Sequence, residues 1–168
     1  MNSHWLASLC DWLAATSVSQ AIQTTAWVIP AVQTTHILAV AVVITAVVMT
    51  DLRLLGVAWR DQALDEMVGR FLPSLWWALL VLAVTGGILI VGEPGRSLRN
   101  PVFALKMGLL VLATGVTLVC QIPLRTNRAY WDLSVGRRRL ARLLAGTSLP
   151  LWIAVIFSGR WIAYVQGS

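Results

Sequence analysis

Four stretches of this chain run for about 20 residues each with almost no charge, which is the length an α-helix needs to cross a bilayer. They fall near residues 29–50, 71–91, 102–122 and 144–165. None shows the strict alternation of a barrel strand. Backbone polar groups in hydrocarbon must be satisfied within the segment itself, so each stretch reads as a helix. Charged residues make up 12% of the chain, against about a quarter in an ordinary soluble domain. The expected fold is all-α: one membrane domain over residues 1–168, built as a four-helix transmembrane bundle.

The chain's punctuation agrees with those boundaries. Pro30 and Pro101 sit at helix starts, where a missing N–H costs little. Gly92, Pro94 and Gly95 break the chain after the second stretch, and Pro123 is expected to stop the third. Pro73 and Pro150 are expected in first turns. Ahead of the first stretch, Trp5, Leu6, Leu9, Trp12 and Leu13 recur at helical spacing. Residues 4–27 therefore read as an amphipathic helix lying in the interface. The absence of a basic n-region argues against a cleavable signal peptide.

The net charge of +6 resembles a nucleic-acid signal, but its distribution excludes that reading. Arg125, Arg128, Arg137, Arg138, Arg139 and Arg142 cluster between the third and fourth stretches. Arg53, Arg60 and Arg70 lie between the first and second, and the remaining connection has Arg96 and Arg99. This is a topology pattern: it predicts the first and third connections in the cytoplasm and both termini outside. Asp61, Asp65 and Glu66 are available to pair with the arginines, although solvated charge is the simpler role. Cys10 and Cys120 stand alone, without a C-x-x-C or C-x-x-C-H, so neither a zinc ribbon nor covalently attached haem is indicated. Cys120 reads as a small buried residue. Neither a P-loop, a G-x-S-x-G, an H-E-x-x-H nor a dinucleotide fingerprint occurs, which leaves open whether the chain is an enzyme.

Depth singles out three residues. His36 lies seven residues into the first stretch, roughly 10 Å from its outer end. Lys106 begins the third stretch at roughly 6 Å, and Arg160 closes the fourth at roughly 7–8 Å. Three groups able to carry positive charge thus share one layer. Gly86 and Gly87 supply small residues at the same level of the second stretch. Such a layer suits a flat, anionic group in need of a ligand. Each residue also has an ordinary reading. Lys106 and Arg160 can snorkel to headgroups, His36 can bond a neighbouring helix, and the glycines can serve packing. Asp51, at the inner end of the first stretch, is expected to pair with Arg53 or a loop arginine, or to belong to a quinone or proton site.

The segments "HILAVAVVITAVVMTDLRLLG", "NPVFALKMGLLVLA" and "SGRWIAY" resemble an uncharacterised bacterial family of small four-helix membrane proteins. A more distant similarity is to the haem-carrying protoporphyrinogen IX oxidase family and to CopD-like copper-resistance membrane proteins. The oxidase resemblance implies haem binding by the histidine of helix one and the lysine of helix three, here His36 and Lys106. The chain departs from that family where "TDLRLLG" replaces an ending that carries a further histidine. It also lacks the His and Met clusters of a copper path.

These readings lead to a b-type haem protein of the bacterial inner membrane, acting in electron transfer or a quinone-linked redox step. His36 would ligate iron and Lys106 would be a second ligand or a propionate partner. Arg160 would pair with a propionate, Gly86 and Gly87 would admit the flat ligand, and Gln33 would orient the imidazole. Its partners would be the lipid bilayer and a quinone or redox protein, within a homo-oligomer or a larger membrane complex. The alternatives are a non-enzymatic anchor or accessory subunit, and a small transporter, for which four spans are few.

Overall fold

The computed structural model describes residues 3–59, 64–98, 100–127, 130–162 and 164. Of the charges used above, Arg60, Asp61, Arg99 and Arg128 lie outside the described residues, as does Val165 at the end of the fourth stretch. The chain is all-helical, with no strand among the described residues. Two short helices, α1 (Ser3–Ala14) and α2 (Ser17–Thr24), precede α3 (Val28–Leu55) and α4 (Leu64–Gly92). A short α5 (Pro94–Leu98) leads into α6 (Pro101–Thr126), and a 3-10 turn (Tyr130–Asp132) leads into α7 (Val135–Trp161).

Local chemistry sets these boundaries. Thr16 divides the N-terminal segment into two helices, because its hydroxyl caps α2 by accepting from the Ser19 N–H. Asn100 caps α6 through the Val102 N–H, with Pro101 in the first turn. Ser134 caps α7 through the Arg137 N–H. Gly56 ends α3 in the left-handed region at φ 72°, donating its N–H to helix carbonyls. α6 runs through Pro123 to Thr126 rather than stopping at the proline. Pro73 and Pro150 fall within α4 and α7 rather than in first turns, because those helices start at Leu64 and Val135, ahead of the apolar stretches. That early start lets α7 carry Arg137, Arg138, Arg139 and Arg142 on helical backbone.

The helices α3, α4, α6 and α7 are each long and apolar enough to cross a membrane. They form two hairpins, α3 with α4 and α6 with α7, joined mainly along α3 and α7. Contact between α4 and α6 is sparse, so the ring of four is loosest there. A dry core fills the middle: Val43, Ala46 and Val47 of α3, Leu75 and Ala78 of α4, Ala113 of α6, and Trp152 and Val155 of α7. The outer faces are also apolar, with Ile37, Leu38, Val111 and Phe157 all more than 60% exposed. A surface of this kind is stable against lipid and costly against water.

The N-terminal helices pack on one end of the bundle, α1 against α5 and α2 against α4. Ser19 Oγ donates to Val91 O at 2.7 Å. Gly92 permits the close approach of α2, since a Cβ there would sit 2.9 Å from Ile22 Cγ2.

Candidate functional site

On α3 the buried positions Ala39, Val43, Ala46, Val47, Thr50, Asp51 and Leu54 recur every three or four residues. His36 extends that stripe by one turn, so its side chain belongs to the bundle-facing side. Thr85 lies on the equivalent stripe of α4, seven residues after the buried Ala78. The two stripes meet: His36 Nδ1 is 2.7 Å from Thr85 Oγ1.

This contact fixes the imidazole's protonation pattern. Thr85 Oγ1 also lies 2.6 Å from Val81 O, a carbonyl that can only accept. The hydroxyl proton must therefore occupy that short gap. Toward His36 the hydroxyl oxygen can then only accept, so His36 Nδ1 carries the hydrogen and donates it. The neutral ring is left with its lone pair on Nε2. Tethering one ring nitrogen while freeing the other is how proteins prepare a histidine to bind a metal.

Gly86 lies beside the His36 ring. A Cβ on Gly86 would meet His36 Cε1 at 3.6 Å, so this glycine packs against the imidazole itself. Gly87 is exposed and has open space where a Cβ would be, with no contact to His36. Gln33 is exposed as well, one turn before His36.

Lys106 approaches from the other hairpin. It extends the buried stripe of α6, seven residues before Ala113, and is half-buried. Its side chain lies along Gly159 of α7, where a Cβ would be 3.4 Å from Nζ and 3.5 Å from Cε. Lys106 is near enough for its charge to act on His36. Among the described residues no side chain accepts a hydrogen bond from its ammonium. The structure thus brings together His36, Thr85 and Gly86 on one hairpin with Lys106 and Gly159 on the other.

Arg160 is not part of this group. It lies two residues beyond the buried Ser158, which turns it away from the α7 stripe, and it is exposed. Its Nη2 donates to Tyr164 Oη at 2.9 Å, and the guanidinium stands 5.2 Å from the Tyr164 ring centre. Depth was shared, but direction was not. Thr85 was missed by sequence reasoning, although it immediately precedes Gly86 and is the residue that orients His36.

Polar groups also gather at the far end of α3, about 22 Å from His36 along the helix. Asp51 is buried and pairs with no cation among the described residues, contrary to expectation. Cys120 is buried nearby, with its backbone carbonyl accepting from Trp131 Nε1 at 2.9 Å.

Residues 10–165 match the Family of unknown function (DUF6644). The chain belongs to that family. No curated protein and no solved structure matches it. The match covers nearly the whole chain and assigns no activity.

Proposed function

We propose that this DUF6644 protein is a haem-binding redox component of the bacterial inner membrane, with both termini on the periplasmic side. The observation that supports it best is the Thr85–His36 bond, which leaves the imidazole Nε2 free as a ligand atom. The other residues fit such a group. Lys106 offers a positive charge for a carboxylate, or an amine ligand if deprotonated. The half-buried setting would strengthen either interaction. Sparse contact between α4 and α6 would give a flat ligand a lateral way in. When bound, haem would supply one-electron chemistry, with a quinone as a suitable partner in the bilayer. The protein's own part would be to orient His36, hold the carboxylate and exclude water. The distant resemblance to the protoporphyrinogen oxidase family supports the same reading through His36 and Lys106, and Arg160 is left out of it.

The test is an absorption spectrum of detergent-purified protein from cells grown with ample haem. A Soret band, with α and β bands that sharpen on dithionite reduction, is expected. His36→Ala should lose most of the haem. Lys106→Arg separates the two roles of Lys106, because arginine keeps the charge but is a poor ligand. A folded wild type without Soret absorbance refutes the proposal.

The second reading is a membrane anchor or accessory subunit. It is favoured by the helical, arginine-rich start of α7, where Arg138, Arg139 and Arg142 are exposed beside Leu140 and Leu143. Such a surface suits anionic headgroups or an acidic partner. Under this reading His36 serves as a bond between α3 and α4.

A further inference from the structure

The end of the bundle away from His36 contains a buried polar layer that the proposed haem site does not use. Asp51 of α3 and Gln121 of α6 are each 4% exposed, and Ser148 of α7 is 1% exposed. Trp152 Nε1 donates to Thr117 Oγ1 at 3.1 Å, which sets the register of α6 against α7. Gln121 lies one turn beyond Thr117, and Ser148 lies one turn before Trp152. The two helices are antiparallel neighbours, so Gln121 and Ser148 are level. Ser148 is also the polar side chain that faces Asp51.

Ser148 lies close enough to act on the Asp51 carboxyl, yet the three side chains do not together meet their hydrogen-bonding needs. Asp51 Oδ2, Gln121 Oε1 and Ser148 Oγ are all buried without a hydrogen-bond partner. Nearby donors are already used. Thr50 Oγ1 donates to Ala46 O at 2.8 Å and Thr117 Oγ1 to Ala113 O at 2.9 Å. Trp131 Nε1 donates to Cys120 O. Cys120 lies across the bundle within electrostatic range of Asp51, and Arg53 is two positions along α3. Neither forms an ion pair with it.

Two of these orphan atoms can only accept when Asp51 is ionised, and the Ser148 proton can serve just one of them. The layer therefore has more acceptors than donors, a shortfall that a bound cation would meet. Its donors are hard oxygens, which suit a hard cation rather than zinc or copper. They carry one formal negative charge, so a univalent ion leaves the site neutral, whereas a divalent ion would bury a net charge. We propose that Asp51, Gln121 and Ser148 form a binding site for a single alkali-metal cation. Asp51 supplies the charge, and the amide and hydroxyl oxygens supply two further ligands. This proposal is independent of haem binding at His36.

The test uses the purified full chain in detergent. Its Tm is measured in sodium, potassium and choline chloride at equal ionic strength, alongside equilibrium binding of radioactive sodium. A ligand that binds only the folded state stabilises it by mass action. A saturable rise of Tm with sodium or potassium over choline is expected, with about one cation retained per chain. Asp51→Asn should abolish both effects. Gln121→Leu should move half-saturation to at least about tenfold higher salt, the factor that about 1.4 kcal/mol of lost affinity gives. Equal Tm in all three salts with no sodium retained overturns the proposal and leaves Asp51 as a neutral acid. Equal retention by wild type and Asp51→Asn also overturns it. If Asp51→Asn does not fold, Ser148→Ala decides: a raised half-saturation supports the site and an unchanged one overturns it.

Discussion

Replacing Thr85 with valine removes the acceptor of the His36 Nδ1–H and changes little else in shape. The hydroxyl's own bond to Val81 O is local to α4, and its loss leaves the helix ladder intact. The cost therefore rests on the His36 N–H. A buried donor without a partner costs about 1–3 kcal/mol in soluble proteins. Interhelical hydrogen bonds in membrane bundles average about 0.6 kcal/mol, with a maximum near 1.7. His36 is half-buried, so Thr85→Val should destabilise by about 1 kcal/mol, roughly a fivefold change in the folded-to-unfolded ratio. The more specific readout is the ring tautomer, observed by nitrogen NMR of histidine-labelled protein above the imidazole titration. Only His4 and His36 contribute signals, and His36→Asn assigns them. Wild type should show His36 protonated at Nδ1. Thr85→Val should give a tautomer mixture, and Thr85→Ser should restore the wild-type signal. Haem retention should fall about 10- to 100-fold in Thr85→Val, the usual loss when the group orienting a ligand is removed. A wild-type His36 protonated at Nε2, or a tautomer unmoved by Thr85→Val, would refute the orientation argument.

Three further outcomes test the packing. Gly92→Ala should cost about 1 kcal/mol by pressing on Ile22, and the cost should shrink when Ile22→Ala is added, a non-additivity measurable by thermal unfolding. Trp152→Ala should cost about 3–5 kcal/mol, because it empties the middle of the core and removes the Thr117 bond. Trp152→Phe should cost less, since Thr117 keeps its bond to Ala113 O. Arg160→Gln should leave haem content unchanged while Lys106→Gln lowers it, because the Arg160 guanidinium is engaged with Tyr164 on an exposed face.

The helices were legible because length and apolarity are one-dimensional properties, and Pro101 marked the start of α6, whereas the cap at Ser134 lay ahead of the apolar stretch and was not read. What a single sequence hides is rotation. Depth placed His36, Lys106 and Arg160 in one layer, but each residue turns a helix by about 100°. Arg160, two positions from the Ser158 stripe, therefore points elsewhere. A signal was available: on α7 the small residues Ala141, Ala145 and Ser148 mark a helix-facing stripe, and Arg160 lies off its continuation. Tyr164, four residues after Arg160, was a second clue to a local pair. Thr85 could not be found this way, because its role depends on the register between α3 and α4. Among the described residues the expected Asp51–Arg53 ion pair is not formed, for a related reason. Arg53 is close in sequence, but two residues along a helix face different directions.

The dry core between His36 and Asp51 also has an electrical meaning. With the bundle across a membrane, Val43, Val47, Leu75, Ala113 and Trp152 form an insulating slab between two polar layers. Voltage drops mainly across such low-dielectric material. Carrying one elementary charge through the full field is worth about 2.3 kcal/mol per 100 mV. A charge that enters either layer from its own side crosses only a small part of that field. Binding at either end should therefore be nearly voltage-independent, while any charge passing between the ends would carry most of the membrane's electrical work.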